Sequence, residues 1–235
     1  MKQTLLCSAL LLCLCQFAFA QDSALVTCGQ KEVTDRYLRE NPAAKRLHEQ
    51  IELQLADYTR KVRSGQITAQ KIDAVVTLPV VVHIVHNNGP ENISDATAMT
   101  AIQHLNEAFA NTGYYDPANG VNTQIQFCLA QRDPSGNATN GITRNVSPYT
   151  VMSGSYTSDD QHVKNLNRWD PRCYINIWLV RSIPGGVAGY AYLPSAHGSN
   201  VDGIVMEAAY FGSSYANDVV VIHEMGHYLG LYHTF

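Results

Sequence analysis

Three histidines, one glutamate and two glycines lie within the stretch "HEMGHYLGLYH", which runs from His223 to His233. His223 and His227 are four residues apart, so on a helix they share a face with Cβ atoms about 5–6 Å apart. Two imidazoles at this distance can bind one zinc ion. Glu224 is rotated by about 100° around the helix axis, so its carboxylate can lie beside the metal and accept a proton from water. The spacing predicts hydrolytic chemistry at a metal ion.

The third histidine can reach the same metal only if the helix ends before it. In a continuous helix His233 would lie about 9 Å beyond His227 along the axis and on another face. Gly230 permits the required turn, because glycine adopts positive φ without a steric clash. Three neutral nitrogens leave one position open for water, as in catalytic zinc sites. The sequence therefore predicts one catalytic Zn²⁺ on the three histidines, with Glu224 as general base.

These residues need a scaffold, and the sequence from residue 78 onward predicts one. Runs rich in β-branched and apolar residues predict strands, namely "LPVVVHIVHN", "TQIQFCLAQ", "CYINIWLV" and "DGIVMEAAYFG". The glycine-interrupted "GVAGYAYLP" predicts a shorter strand at an edge. Two helices are expected, one capped by Ser94 and ending at Gly113, and one over "ANDVVVIHEMGHYLG". The alternation predicts an α/β fold on a mostly parallel sheet.

The N-terminal part of the chain is different in kind. Residues 1–20 combine Lys2, an apolar run and an ending in small residues, which predicts a signal peptide cleaved before Gln21. The alternative is an anchoring helix, for which an apolar run of about 17 residues is marginal. We expect an exported protein that is free of the membrane after the signal is removed.

Residues 21–77 are rich in charge and predict a separate segment, with a boundary near Thr77. Asn41 and Pro42 favour the start of a helix, and Gly65 favours its end. The helix carries apolar residues at helical spacing. These residues are Leu47, Ile51, Leu55, Tyr58 and Val62. We expect this stripe to pack against the domain that comes after it.

Three cysteines remain after the signal: Cys28, Cys128 and Cys173. Export permits disulfides, and the odd count leaves at least one thiol over. Cys128 and Cys173 lie at predicted strands of the same sheet, so a bond between them is one possibility, although the spacing does not fix the connectivity.

Composition excludes several classes of protein. The chain is 46% hydrophobic and 15% charged, so it can bury a core and is not disordered. Its net charge is −4, and it has no run of lysine and arginine that would suit a nucleic-acid partner.

The signature "HEMGHYLGLYHTF" resembles the zinc signature of the pappalysin family of metzincin metallopeptidases. "FCLAQRDPSGNATNGITR", "WDPRCYINIWLV" and "DGIVM" are similar to the family's catalytic domain, and the likeness extends over residues 78–235. The resemblance implies an endopeptidase acting on proteins or peptides, with a backing helix and an active-site helix. It implies that "GGVAGYAYLP" is an antiparallel edge strand that pairs with the substrate backbone.

The resemblance also implies a zymogen, with residues 21–77 as the pro-segment. Many metzincin zymogens place a cysteine thiolate on the zinc, and Cys28 is the candidate for that position in this chain. The family continues past the third histidine with a methionine turn and a C-terminal subdomain that often binds calcium. Because the sequence stops at Phe235, we expect this chain to be C-terminally incomplete, with any calcium site in the missing part.

Two other interpretations stay open. One is a non-catalytic secreted zinc-binding module or an inactive truncated homologue. The other is a membrane-anchored lipoprotein, with Cys28 as the lipidated residue.

Overall fold

The structure is a computed structural model that describes residues 27–69, 74–154 and 156–234. The predicted signal peptide, residues 1–20, lies outside the described residues. Within the described ranges, the helices are all too short or too polar to cross a membrane.

A mixed seven-stranded sheet forms the centre of the molecule. Its strands are β1 (Thr27–Cys28), β2 (Val76–His86), β3 (Ile125–Leu129), β4 (Ile142–Val146), β5 (Ile175–Val180), β6 (Val187–Ala191) and β7 (Ile204–Glu207). The order is β1-β6-β7-β5-β2-β3, and β4 pairs with the second half of β2. All pairings are parallel except the one between β6 and β7. The predicted mostly parallel α/β fold with one antiparallel strand is therefore confirmed.

Strand β2 is the centre of the core because both of its faces are covered. Val80 to Val85 are fully buried. Val80, Val82 and Ile84 belong to the largest apolar cluster, whereas Val81 and Val85 belong to two smaller ones. A strand buried on both faces reads as a continuous β-branched run, which is why the sequence predicted it correctly.

Two helices cover one face of the sheet. They are α3 (Asp95–Ala110) and α5 (Tyr215–Tyr228), and both contribute to the larger apolar cluster. Ser94 caps α3 as predicted, since its Oγ accepts the Thr97 N–H at 3.1 Å. The helix ends earlier than predicted, because Asn111 adopts a left-handed conformation with φ of 52°. Helix α4 (Tyr156–Lys164), which was not predicted, contributes Val163 to the second cluster.

The segment before β2 contains two helices rather than the one predicted. They are α1 (Gln30–Glu40) and α2 (Pro42–Arg63). Asn41 lies between them, but it does not cap α2 with its side chain, because its Nδ2 donates to the Tyr37 carbonyl at 2.9 Å. Gly65 comes after the end of α2 with φ of 70°, close to the predicted end.

The prediction that the stripe of α2 packs on the next domain is wrong for most of its residues. Leu47, Leu55 and Tyr58 are 46%, 49% and 44% exposed. Among the described residues, α2 instead approaches the α/β domain near the turn Pro194–Ala196, and Ala44 is the buried residue of this helix.

The possible Cys128–Cys173 disulfide is also wrong for this structure, in which Cys28, Cys128 and Cys173 are free. Cys128 is on β3 and Cys173 precedes β5, and β2 lies between these two strands. Two strand spacings amount to about 9–10 Å, and a disulfide requires Cα atoms closer than about 7 Å.

Candidate metal centre

Helix α5 carries the first two histidines, and its two ends are tied to the rest of the fold. At the start, Asp218 is fully buried and accepts bonds from the His104 ring at 2.5 Å and the Gly212 N–H at 2.5 Å. At the end, the ring of His197 donates to the Tyr228 carbonyl at 2.9 Å. Apolar anchoring in between comes from Val221 and Met225, which are both fully buried. The direction of the histidine side chains is therefore set by the packing of α5.

The Nε2 atoms of His223, His227 and His233 converge on one point. They lie 2.9 Å apart between His223 and His227, 3.0 Å between His227 and His233, and 3.1 Å between His223 and His233. Three neutral imidazoles that face one another with their lone pairs repel unless a cation lies between them. A triangle of this size suits Zn²⁺, whose bonds to histidine nitrogen are about 2.0–2.1 Å long.

The predicted turn at Gly230 brings the third histidine to this point. Gly230 has φ of 97°. The N–H of Leu231 reaches back to the Gly226 carbonyl at 2.9 Å, and that of Gly230 to the His227 carbonyl at 2.9 Å. This pair of hydrogen bonds closes a helix end at a left-handed glycine.

The same turn fixes the tautomer of His227. Its Nδ1 lies 2.7 Å from the Leu231 carbonyl, to which it donates, so the lone pair is on Nε2 and faces the other two rings. Burial lowers the pKa of His227, and burial together with the neighbouring imidazoles lowers the pKa of His223 to about 4. Both rings are therefore neutral at physiological pH, which is the state that binds metal.

Glu224 lies on the inner side of α5, where it is 1% exposed. Burial raises its pKa to about 8, while bonds from the Cys28 thiol and the Ala191 backbone N–H act in the opposite direction. Its Oε2 has no hydrogen-bond partner among the described residues. A carboxyl group with an unused buried oxygen and a pKa near neutrality is suited to exchange a proton with a bound molecule.

Strand β6 lies directly against Glu224, and Gly189 permits the close approach. A Cβ atom at this position would lie 3.2 Å from Glu224 Cγ and 3.0 Å from Met206 Cβ. The sequence suggested no role for Gly189, since a glycine in a strand indicates a close approach without saying to what.

Cys28, which lies near the N-terminal end of the described residues, completes the cluster. Its Sγ and one nitrogen of each of the three histidines all lie within 4.8 Å of one another. Burial and the charge of Glu224 raise the pKa of the thiol. A bound Zn²⁺ would reverse this effect, because a thiol that coordinates zinc is deprotonated. The residues present thus fit zinc, with three nitrogens and either a thiolate or a water molecule as the fourth ligand.

The backbone of Cys28 is held beside the cluster by strand pairing. β1 pairs in parallel with β6, where Thr27 faces Val187 and Cys28 faces Gly189. The Gly29 N–H donates to the Gly189 carbonyl at 3.0 Å. As a result β6, which was predicted as an edge strand, is covered on its outer side by residues of the N-terminal segment.

Comparison with known proteins shows similarity to metalloproteases. Residues 156–235 match the family model described as pregnancy-associated plasma protein-A, a peptidase M43 family. An extracellular metalloprotease of Pyricularia oryzae is 29% identical over 182 residues, which cover 73% of this chain and 55% of the relative. One of Arthroderma benhamiae is 22% identical and is covered over 57% of its length. The chain thus spans about half the length of these curated relatives.

Solved structures of mirolysin from Tannerella forsythia are similar in fold. Mature mirolysin in complex with a cleaved peptide is 38% identical, with a TM-score of 0.61 over 69% of this chain and 66% of that one. A promirolysin mutant is 33% identical, with a TM-score of 0.62 over 88% of this chain and 69% of that one.

Proposed function

The chain belongs to the pappalysin family of metallopeptidases, and we propose that it is the precursor of a secreted zinc-dependent endopeptidase. The observation that carries the proposal is the convergence of three histidine Nε2 atoms, 2.9–3.1 Å apart, beside a buried glutamate. His223, His227 and His233 would hold one Zn²⁺. The substrate would be a protein or peptide, since the relatives are named metalloproteases and one mirolysin structure contains a cleaved peptide.

When bound, zinc supplies a Lewis acid that makes water more acidic and withdraws electrons from a peptide carbonyl. The remaining chemistry belongs to the chain's own residues. Glu224 accepts the proton of the attacking water on its unpartnered Oε2 and then donates it to the leaving amine nitrogen. The Ala191 N–H holds the same carboxyl group in place between the two transfers. A carboxyl pKa near neutrality suits both directions of this transfer.

The experiment is a pair of substitutions in the full-length protein, activated by removal of the segment before β2. We expect Glu224→Ala to retain zinc and to lose hydrolysis of a casein-type substrate, and His227→Ala to lose both. Glu107→Gln on α3 is the control, because its carboxyl group bonds to Gln103 and Tyr215 and not to His223, His227 or His233. Near-normal turnover by Glu224→Ala would show that the assignment of the general base is wrong.

We propose further that residues 21–77 are a pro-segment that keeps the enzyme latent through Cys28. Three observations support this proposal: the position of the Cys28 Sγ within the histidine cluster, the pairing of β1 with β6, and the extent of the structural match. The match covers 88% of this chain in promirolysin and 69% in mature mirolysin. The additional coverage is close in length to the described N-terminal segment.

Latency can be tested with Cys28→Ala. We expect this variant to become active faster than the wild type, because a water molecule can take the position of the sulfur. Cys173→Ala, which removes an exposed thiol away from the cluster, is the matched control. Zinc X-ray absorption on the zymogen provides an independent measurement, and a spectrum without a sulfur ligand would rule the mechanism out.

The described cluster also favours a second candidate, a non-catalytic zinc-binding module. Three histidines and one cysteine make a four-ligand set, and closed four-ligand sites are typical of structural zinc. The two candidates differ in their response to removal of the N-terminal segment. A protease gains peptide hydrolysis, whereas a structural module gains none and loses zinc affinity.

Secretion rests on the predicted signal peptide and on relatives named extracellular. Intact-mass analysis of the exported protein tests it. A mature N-terminus at Gln21 supports cleavage of the signal, whereas a lipid on Cys28 would support a lipoprotein instead and would remove Cys28 from the metal.

A further inference from the structure

Helix α1 covers an aromatic surface next to the candidate metal centre. After β1, Gly29 makes the last hydrogen bond to β6, and α1 begins at the next residue. Val33 of α1 is 1% exposed and belongs to the same buried cluster as Tyr190 and Tyr192. The ring of Tyr37 meets the ring of Tyr192 edge to face, with 5.8 Å between their centroids. The apolar side of α1 therefore packs on this surface.

We propose that this surface is a substrate subsite that binds a large apolar side chain once the pro-segment has left. We call it the aromatic subsite and define it by four side chains of the catalytic part. These side chains are Val187, Tyr190, Tyr192 and Ala196, which all belong to one buried cluster with Val33. The inference rests on the proposed function, because it takes the residues before β2 as a removable pro-segment.

The two tyrosine rings are fixed by groups that stay behind when α1 leaves. Tyr190 donates its hydroxyl to Asp160 Oδ1 at 2.9 Å. Lys164 Nζ lies 2.8 Å from the same Oδ1 and 4.4 Å from the centroid of the Tyr192 ring. Asp160 and Lys164 are 1% and 0% exposed, so the pair is shielded from water. A subsite with such a rigid floor keeps its shape for a new occupant instead of collapsing.

The aromatic subsite lies on the path that a bound peptide would take. Val187 and Tyr190 are part of β6, whose outer edge offers backbone groups for strand addition. Beyond the end of β6, Leu193 and His233 line one wall of a cavity of about 310 Å³, and Gln30 and Thr34 of α1 line the other. Helix α1 therefore lines the cavity beside His233 with Gln30 and Thr34, and it packs on the aromatic subsite with Val33 and Tyr37. A peptide that replaces β1 on β6 would bring a side chain into this space.

The chemistry of the subsite selects an apolar occupant. Val33 already shows that an aliphatic side chain can be fully buried against these rings. An acidic side chain at the same point would lose its hydration without gaining a partner, because Lys164 is already paired with Asp160, and burial of an unpaired charge is costly. One apolar position of this kind discriminates between substrates by about tenfold or more.

The test uses the full-length protein, activated by removal of the pro-segment, and quenched peptides that vary one position at a time. At one position on one side of the cleaved bond, we expect leucine, valine or phenylalanine to give kcat/KM at least about tenfold higher than aspartate or glycine. Tyr192→Ala should reduce this ratio to about threefold or less, while Tyr192→Phe, which keeps the ring, should preserve it. Tyr114→Ala is the control, since Tyr114 is 66% exposed and stacks on Tyr215 at the start of α5.

The outcomes distinguish a failure of the proposed protease function from a failure of the aromatic subsite. If the activated wild type cleaves no peptide, the proposed function fails. If it cleaves peptides but shows no apolar preference, or if Tyr192→Ala leaves the preference unchanged, the aromatic subsite is wrong while the protease proposal stands. Should Tyr192→Ala fail to fold, as judged by thermal melting, the substrate series on the wild type and on Tyr192→Phe still decides whether an apolar preference exists.

Discussion

Substitution of Gly189 by alanine tests whether β6 sets the position of Glu224, the proposed general base. Gly189 lies in the middle of β6, and its φ is outside the left-handed region, so an alanine is compatible with the backbone. The added methyl group would lie 3.0 Å from Met206 Cβ, 3.2 Å from Glu224 Cγ and 3.3 Å from the Val205 carbonyl oxygen. Any effect therefore comes from crowding and not from backbone strain.

The magnitude is set by how little these neighbours can move. Carbon atoms in contact prefer separations of about 3.5–4.0 Å, so Glu224 must shift by several tenths of an ångström. Met206 is fully buried and Glu224 is 1% exposed, so neither side chain has free space to rotate into. Overpacking of this kind costs about 1–3 kcal/mol of folding free energy. A misplacement of about 1 Å costs about 100-fold in rate, so we expect kcat to fall by about tenfold.

The assay compares Gly189→Ala with the wild type in the activated full-length protein. Zinc content should be unchanged, because the histidines do not touch the new methyl group, while kcat falls and KM changes little. Gly154→Ala is the control, because its methyl group would meet only the end of the Ser158 side chain and the Asp159 carboxylate, at 3.3 Å or more. If Gly189→Ala keeps kcat within twofold and the melting temperature of the wild type, the inferred contact between β6 and Glu224 has no catalytic role.

Contacts outside the histidine cluster give three further predictions. Burial lowers the pKa of His83 to about 4. Because His83 in the unfolded chain takes up a proton below its usual pKa of about 6.5, the free energy of unfolding, measured by urea titration, should fall by about 2 kcal/mol from pH 7 to pH 5. A His83→Gln variant whose free energy of unfolding depends on pH in the same way would contradict this. Asp218→Ala leaves the His104 ring and the Gly212 N–H without their acceptor. We therefore expect urea denaturation to show a free energy of unfolding about 3 kcal/mol lower than that of the wild type, with a smaller decrease for Asp218→Asn. If Asp218→Ala is as stable as the wild type, these hydrogen bonds do not stabilise the fold. Tyr232→Phe removes the 2.7 Å bond to Glu52 of α2 and should speed activation of the proposed zymogen about threefold to tenfold. An unchanged activation time course would exclude a role for this contact.

The convergence of the three histidines could be predicted from the sequence because its geometry is local. The spacing of His223 and His227 is set by the helix, and the position of His233 is set by the turn at Gly230, so the rules of a single helix end suffice. The sheet was predictable for a similar reason, since β2 and β5 are buried on both faces and read as unbroken apolar runs.

The contacts that cross the sequence could not be predicted in this way. Helix α1 has a charged sequence that does not predict a buried side. Val33 is buried because it packs in one cluster with Tyr190 and Tyr192, which are distant in the sequence. The pairing of β1 with β6 joins residues separated by about 160 positions, and Thr27 Oγ1 bonds to the Gly186 carbonyl across that separation. The disulfide prediction was wrong because strand order, which places β2 between the two cysteines, is not encoded in their spacing.

The pairing of β1 with β6 has a consequence for the behaviour of the protein in solution. While β1 is in place, Gly189 has its carbonyl bonded to the Gly29 N–H. Once β1 leaves, the outer edge of β6 presents unpaired backbone groups next to a newly uncovered aromatic surface. Exposed strand edges of this kind invite other chains to add to the sheet, which leads to self-association. On the proposed mechanism of latency, the N-terminal segment therefore also acts as a solubilising cap, and its removal would end latency and expose an aggregation-prone strand edge at the same moment.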